Sequence, residues 1–319
     1  MSPQRGAMPL KRHHWLALGA LVLLTLAILI WSTRGVGTPN PADRKRPVGE
    51  LAEKARAERA TAITRFSLLC LDLLSKARPA EAVRYCSLGL DLDPKSITLL
   101  NLRGNARMLA GQGNKAIEDF TRAIALAPND PSAYRFRANV YVALHRDTKA
   151  LADYNRAIAL DPRNAIGLEL RGQYYQTHGA YDAAIADFDG AIARDPRMAR
   201  AWNSRCWTRV LAKTDPAAAL ADCDRAIALD PDSANAYDSR GYVRIRMTKY
   251  RDAIADFDSA LGMEPRLASS LFGRGFAKQR IGDRTAMSDI NKARQIEPGI
   301  EARFRGYGFR LKANGPSGA

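Results

Sequence analysis

The chain has 319 residues, of which 46% are hydrophobic and 26% are charged. This apolar content excludes a wholly disordered chain and is sufficient for a packed protein. The formal net charge is +16, and residues 1–47 contain seven basic residues but only one acidic residue. Such a charge favours contact with anionic surfaces or polyanions but does not predict a fold.

The N-terminal region joins a basic cytoplasmic leader, residues 1–14, to an uncharged apolar run at residues 15–31. A helix over residues 15–33 would be about 29 Å long, close to the ~30 Å hydrocarbon core of a bilayer. A cleaved signal peptide is the alternative, but its small-x-small site would have to be Gly35-Val36-Gly37, a poor match. We therefore predict an uncleaved, single-pass transmembrane anchor over residues 15–33.

A Pro-rich basic linker, residues 34–47, leads into a region in which a helical pattern repeatedly ends in a proline. Within one unit, apolar residues recur at three- and four-residue steps, which predicts helices at Ala165–Thr177 and Tyr181–Arg194. His178-Gly179 separates these helices, and Asp195-Pro196 ends the second. The terminal prolines, spaced by 34, 34, 34, 35, 34 and 33 residues, are Pro94, Pro128, Pro162, Pro196, Pro231, Pro265 and Pro298.

The packing positions of these units follow a known order. One unit carries Leu168, Gly172, Tyr175, Ala184, Phe188, Ala191 and Pro196. In this order the chain resembles the tetratricopeptide repeat (TPR) family over residues 63–299, with Arg244 replacing the tyrosine of the family pattern. The resemblance implies an all-α fold, a right-handed α-solenoid of about seven helix-turn-helix repeats over residues 48–300. It implies little about function, because the matched residues pack inside the repeats.

The four cysteines occupy the same two positions in two different repeats, Cys70 with Cys86 and Cys206 with Cys223. A cysteine is also a small apolar residue that fits a buried position without bonding. We predict disulfides Cys70–Cys86 and Cys206–Cys223, because small residues at the first position imply that the two helices approach closely. In the other repeats this position holds Gly104, Ala138, Gly172, Gly241 and Gly275.

Disulfides require an oxidising compartment. Basic residues flank the apolar run on both sides, so charge alone does not predict its orientation. The predicted disulfides favour a cytoplasmic N-terminus with the repeats on the periplasmic side of a bacterial inner membrane. The bacterial assignment rests on the short leader and the Ala/Arg-rich composition. If the cysteines are unpaired, the same scaffold faces the cytoplasm.

Two charged series recur with the repeats: an arginine directly before the small position, and an aspartate nine residues before the terminal proline. A ladder of ligand-binding charges is one interpretation. We predict instead that each arginine holds the aspartate of its own repeat, since planar guanidinium groups suit carboxylates. The pairs are Arg103 with Asp119, Arg137 with Asp153, Arg171 with Asp187, Arg205 with Asp222, Arg240 with Asp256, and Arg274 with Asp289.

The resemblance also implies a concave groove, lined by the first helix of each repeat, in which the family binds peptides. Amides can bond to an extended peptide backbone, and aromatic rings can anchor its side chains. We predict a protein or peptide ligand, with anionic lipid or another polyanion as the alternative partner, and no specific nucleic acid. The candidate residues are Asn101, Asn105, Arg135, Asn139, Gln173, Asn203, Trp207, Asp238, Tyr242 and Phe276.

The chain offers few groups for catalysis. Its four histidines stand in no recognisable nucleophile or metal spacing, and there is no GxxxxGK[ST] phosphate loop. We predict no enzyme activity, no cofactor and no metal site.

The tail, residues 301–319, begins with interleaved basic and aromatic residues. We predict a helix that caps the last repeat, with Phe304 and Phe309 docking, followed by a disordered end at residues 314–319. Contact with anionic lipid or RNA is the alternative role for its basic residues.

Overall fold

The computed structural model describes residues 48–312. The predicted leader, anchor and linker, residues 1–47, and the end of the tail, residues 313–319, lie outside the described residues. Within the described range no helix combines the length and apolarity needed to cross a membrane. The chain divides into one unit up to residue 61 and a second from residue 62 onward. In the first unit, residues 52–61 are helical and their side chains are exposed.

The described residues form fifteen α-helices and no strand, which confirms the predicted all-helical, TPR-like solenoid. The two helices predicted between Pro162 and Pro196 begin and end at the predicted residues. The helices are α1 (Val48–Ser75), α2 (Pro79–Leu92), α3 (Ile97–Leu109), α4 (Gly113–Leu126), α5 (Pro131–Ala143), α6 (Asp147–Leu160), α7 (Ala165–Thr177), α8 (Tyr181–Arg194), α9 (Ala199–Ala212), α10 (Pro216–Leu229), α11 (Ala234–Arg246), α12 (Tyr250–Met263), α13 (Ala268–Arg280), α14 (Ala286–Ile296) and α15 (Ile300–Gly306).

The turns between helices follow from local residue chemistry. The residue before each terminal proline leaves the helical conformation, as Asp195 does at φ −134°, because a following proline disfavours it. The turn inside a repeat needs a left-handed residue, which is Gly179 at φ +74° in the fourth repeat. His145 takes the equivalent position at φ +54° in the third repeat. The periodic boundaries are therefore set residue by residue.

In most repeats the core is a contact between the small position of the first helix and a large residue of the second. A Cβ built on Gly104 or Gly241 would lie 2.6 Å from the ring of Phe120 or Phe257. In the first and fifth repeats the residue facing the small position is a cysteine instead of a ring. All four cysteines are buried, and the Cα atoms lie 5.8 Å apart in the first repeat and 5.5 Å apart in the fifth. Both pairs therefore lie at disulfide distance.

The predicted pairing of arginine and aspartate is confirmed in all six repeats that carry both residues, the second to the seventh. In each pair the arginine Nε and Nη2 both donate to the aspartate carboxylate, as in the fourth repeat at 2.8 and 2.6 Å. The structure adds a contact that the sequence analysis missed. The Nη1 atom of each arginine donates to the second helix of the preceding repeat, at Ser87, Thr121, Asn155, Asp189, Asp224 and Asp258 in turn. Each arginine therefore connects three helices.

Arg244, which departs from the tyrosine of the family pattern, has a structural explanation. Its Nη1 lies 2.8 Å from Asp256 Oδ2, so this buried carboxylate contacts two cations. Arg107, Arg209 and Lys278 take the equivalent position in three other repeats and contact the aspartate in the same way. The third and fourth repeats keep the tyrosine and have one arginine on each aspartate.

Candidate functional site

The first helices of consecutive repeats contact one another from α3 to α13, whereas no such contact joins the second helices between α2 and α14. The first helices therefore form a continuous face, which carries all ten predicted groove residues. We call the stretch on α3, α5, α7 and the start of α9 the polar part; it contains Asn101, Asn105, Arg135, Asn139, Gln173 and Asn203. We call the stretch on α9, α11 and α13 the aromatic part; it contains Trp207, Asp238, Tyr242 and Phe276.

The six residues of the polar part are half-buried. Asn139 is already engaged, because the hydroxyl of Tyr154 donates to its Oδ1 at 2.6 Å. In contrast, the Oδ1 atoms of Asn101 and Asn203 are buried and accept no hydrogen bond. A buried acceptor without a partner costs about 1–3 kcal/mol. A ligand that brings N–H donors would supply the missing hydrogen bond to either amide once the side chain turns its oxygen toward the ligand.

Glu169, which lies between Gln173 and α9, adds a third acceptor to the polar part. Its Oε1 accepts from Gln173 Nε2 and lies 2.9 Å from the Nε of Arg200, while its Oε2 is buried without a partner. Burial raises the pKa of this carboxyl, and the pairing with Arg200 acts in the opposite direction. Arg200 belongs to no series that recurs with the repeats, so the sequence carries no signal for its role here.

A cleft of about 370 Å³ lies where the polar part meets the aromatic part. One of its amides, Gln176, is engaged, since its Nε2 donates to Thr208 Oγ1 at 2.6 Å and to the carbonyl of Ser204 at 3.1 Å. Gln173, a second amide at the cleft, donates to Glu169 in the same way, whereas the Oδ1 of Asn203 accepts no hydrogen bond. The cleft is lined by Gln173, Gln176, Arg200, Asn203, Ser204, Trp207, Asn235, Asp238, Ser239, Ser269, Arg303 and Phe304.

The aromatic part is covered by the end of the chain itself. Residues 300–312, which we call the C-terminal segment, place Phe304 and Phe309 on this face, so the predicted docking of both rings is confirmed. Beneath them Tyr242 is fully buried and Phe276 is 4% exposed. These two predicted groove residues therefore contact the chain's own segment in this structure.

Asp238 lies buried in the aromatic part, next to the cleft. The hydroxyl of Ser270 donates to its Oδ1 at 2.5 Å. Burial raises the pKa of Asp238 to about 6, while the hydrogen bonds from Ser270 and Ser269 act in the opposite direction. Like Glu169, this carboxylate is a buried acidic group on a face that also offers amides, rings and arginines.

No group of three His, Cys, Asp or Glu side chains within residues 48–312 lies close enough to hold a metal ion. His145 is a turn residue, and the Nε2 of His178 lies 3.3 Å from Asp147 Oδ1 in the neighbouring repeat. The His178 ring packs against Tyr174 on α7, with ring centroids 4.1 Å apart. Absence of enzyme activity stays a prediction.

Comparison with known proteins supports the resemblance to TPR proteins. The tetratricopeptide repeat family model matches residues 101–165 and 170–234, which extend from α3 to the start of α11. No curated protein sequence matches this chain.

Several solved structures share the fold at low sequence identity. A tetratricopeptide repeat protein from Parabacteroides merdae is 20% identical, with a TM-score of 0.58 over 78% of this chain and 98% of that chain. PilF of Pseudomonas aeruginosa is 19% identical, with a TM-score of 0.57 over 66% of this chain and 97% of that chain. PilW, a type IV pilus biogenesis factor, is 19% identical, with a TM-score of 0.55 over 66% and 94% of the two chains. At these identities the likeness shows the fold alone.

Proposed function

We propose that this chain is a membrane-anchored scaffold that binds a polypeptide partner along the face of its first helices. The observation that carries this proposal is the set of buried acceptors without partners on this face, namely Asn101 Oδ1, Asn203 Oδ1 and Glu169 Oε2. A polypeptide backbone supplies N–H donors at regular intervals, so an extended partner can satisfy acceptors on α3, α7 and α9. The match to the TPR family model supports the same class of function.

We further propose that residues 15–33 anchor the chain in a bacterial inner membrane and that the repeats lie in the periplasm. The apolar run supports the anchor, although it lies outside the described residues. The two cysteine pairs at disulfide distance support the oxidising compartment. In this proposal the scaffold assembles other proteins at the cell envelope.

Replacing Asn101 and Asn203 together with alanine should weaken partner capture by about tenfold or more, since each hydrogen bond contributes about 1 kcal/mol. The same change should leave the stability unchanged or raise it, because it removes two buried acceptors that the free protein leaves unsatisfied. The measurement is capture of partners from native membranes by the full chain, quantified by mass spectrometry, together with the unfolding midpoint of each variant.

Gln295→Ala is the matched control, since it removes an exposed amide from α14, away from the first-helix face. Equal capture by the double variant and this control would contradict the proposed groove. Capture that ignores the double substitution and falls steeply as salt rises would instead support an anionic lipid or other polyanion.

Protein isolated from its own cell without reductant should contain no alkylatable thiol and should gain four after reduction, because both cysteine pairs are expected to be oxidised. Each bond closes a loop of 16 or 17 residues, so reduction should cost about 3 kcal/mol per bond and lower the unfolding midpoint. Alkylation followed by intact mass measures the thiols. Four thiols free before reduction would argue for the cytoplasmic orientation.

A further inference from the structure

We propose that the aromatic part of the first-helix face is a binding site for a polypeptide segment with two aromatic residues five positions apart, and that the C-terminal segment fills this site in cis. The inference rests on the proposed function of this face as a polypeptide-binding surface. It adds the chemistry of the partner and a reason why the site is closed in the free protein.

The C-terminal segment does not continue the repeat pattern. Its helix α15 starts where another first helix would start, but it ends at Gly306 after seven residues. The backbone then turns at Gly308, where φ is +93° and a Cβ would lie 3.4 Å from Lys213 Cε. A glycine suits this turn because other residues are strained at such a φ. Residues 309–312 therefore return across the first helices instead of building an eighth pair.

Two rings of the segment serve as its anchors. Phe304 is fully buried and stacks on Tyr242, with ring centroids 4.8 Å apart, and on Phe272, with centroids 5.0 Å apart. Phe309 is 3% exposed and packs edge-on against Phe276 at 5.9 Å. The guanidinium of Arg246 lies over the Phe309 ring, 4.4 Å from its centroid. Paired, desolvated aromatic anchors of this kind dominate the affinity of polypeptide interfaces.

Three long polar side chains of the face bind the main chain of the segment. Arg246 Nη2 donates to the carbonyl of Tyr307 at 2.5 Å, and Arg280 Nη2 donates to the carbonyl of Arg310 at 2.8 Å. The amide of Gln279 accepts from the N–H of Lys312 at 2.7 Å and donates to its carbonyl at 3.2 Å. Because these hydrogen bonds are made to main-chain groups, they do not depend on which side chains stand at positions 307, 310 and 312. The site therefore selects for ring spacing and an accessible backbone.

The site also accepts a basic residue beside the first aromatic ring, because carboxylates lie close to Arg303 of the C-terminal segment. Arg303 makes two hydrogen bonds to the carboxylate of Glu297, at 2.8 and 2.7 Å. Asp238, buried close to this arginine, adds negative charge at the same end of the aromatic part. A partner with a basic residue next to its first aromatic ring would find the same two carboxylates.

A tethered segment has a high effective concentration at its site, on the order of millimolar for short connections. A free peptide of the same chemistry must therefore compete with the chain's own copy. Opening the site by changing only the segment should reveal the affinity of the face itself.

The experiment uses a fluorescently labelled synthetic peptide of residues 300–312 and the full chain. In the variant Phe304→Ala/Phe309→Ala we expect saturable binding of this peptide, at least about tenfold tighter than to the unchanged chain. A peptide carrying the same two alanines should not bind. Adding Arg246→Ala to the opened chain should weaken binding by about tenfold, because one main-chain hydrogen bond and one cation–π contact are lost. Fluorescence anisotropy measures all of these affinities.

Gly308→Val is a second way to open the site if the double variant loses its helical circular dichroism. Valine is strained at this φ, so residues 309–312 should leave the face and uncover Phe276 while Phe304 stays in place, and the matching probe for this variant is a labelled peptide of residues 307–312. A dimer formed by exchange of segments and dissolved by the free peptide would also support the site. Absence of peptide binding to a folded, opened chain would overturn the proposal and make the segment a fixed cap. This result would not touch the proposed function, which is tested on Asn101 and Asn203.

Discussion

Replacing Asp222 with alanine is expected to lower the free energy of unfolding by about 3 kcal/mol, because it leaves buried positive charge without its carboxylate. Asp222 is 3% exposed and accepts two hydrogen bonds from Arg205, at 2.9 and 2.6 Å. Arg209 contacts the same carboxylate from one turn further along α9. The loss of unfolding free energy should be near the smallest values known for breaking a buried ion pair, since Arg205 keeps a second partner in Asp189.

Urea unfolding of the oxidised protein measures this effect. A repeat array can unfold in more than one step, so far-UV circular dichroism should be combined with tryptophan fluorescence. Trp202 and Trp207 lie on α9 and report on the same repeat as Asp222.

Asp189→Ala is the matched control for this prediction. Its carboxylate contacts the same Arg205 at 2.5 Å, but the side chain is 52% exposed. An exposed ion pair contributes less than about 1 kcal/mol, so the control should unfold close to the unchanged chain. Equal losses for the two aspartates would argue against the buried pair as the main connection between the helices of a repeat.

Replacing Phe257 with alanine is expected to cost about 3–5 kcal/mol, because the ring fills the core between α11, α12 and α13. Phe257 is fully buried and packs edge-on against Tyr242 with centroids 5.1 Å apart. Its ring also lies against Gly241 and Gly273, where any Cβ would be in close contact. Phe257→Leu, which keeps most of the volume, should cost clearly less. The unfolding midpoints of both variants measure the difference.

A second substitution tests the cause of this loss. Gly241→Ala alone should destabilise the protein, because its Cβ would lie 2.6 Å from the Phe257 ring. In the Phe257→Ala background the same change should stabilise by about 1 kcal/mol, since the space is empty and alanine favours helix. If Gly241→Ala changes the free energy of unfolding in the same direction in both backgrounds, the contact between this glycine and the Phe257 ring does not control the packing of the repeat.

The polar part and the aromatic part differ in how far the free protein satisfies and covers their side chains. The polar part leaves acceptors on Asn101, Asn203 and Glu169 unsatisfied. In the aromatic part Phe304 and Phe309 cover Tyr242 and Phe276, whereas Trp207 stays half-buried at the cleft. In our proposal a partner binds the first-helix face at the polar part and extends into the aromatic part by displacing the C-terminal segment.

The sequence alone determined the repeat architecture of this protein. The ends of α7 and α8 could be predicted to the residue, because prolines and turn residues act on the backbone within a few positions. The pairing of Arg205 with Asp222, and its counterparts, could be predicted because both series recur once per repeat. The cysteine positions predicted disulfide distance for the same reason, since equivalent positions in equivalent helix pairs have equivalent spacing.

Only the tertiary structure decided which residues of the first-helix face are open. The hydrogen-bonding state of Asn203 depends on its neighbours on other helices and not on its place in the repeat. Phe304 contacts Trp207, Tyr242 and Phe272, which belong to three different repeats. The repeat pattern of the sequence does not predict these contacts. The packing inside a repeat depends on residues that recur once per repeat, so it can be recognised in the sequence. The C-terminal segment occurs once in the chain, so no recurring pattern predicts where it packs. Tyr242 and Phe276 are buried because this segment packs on them.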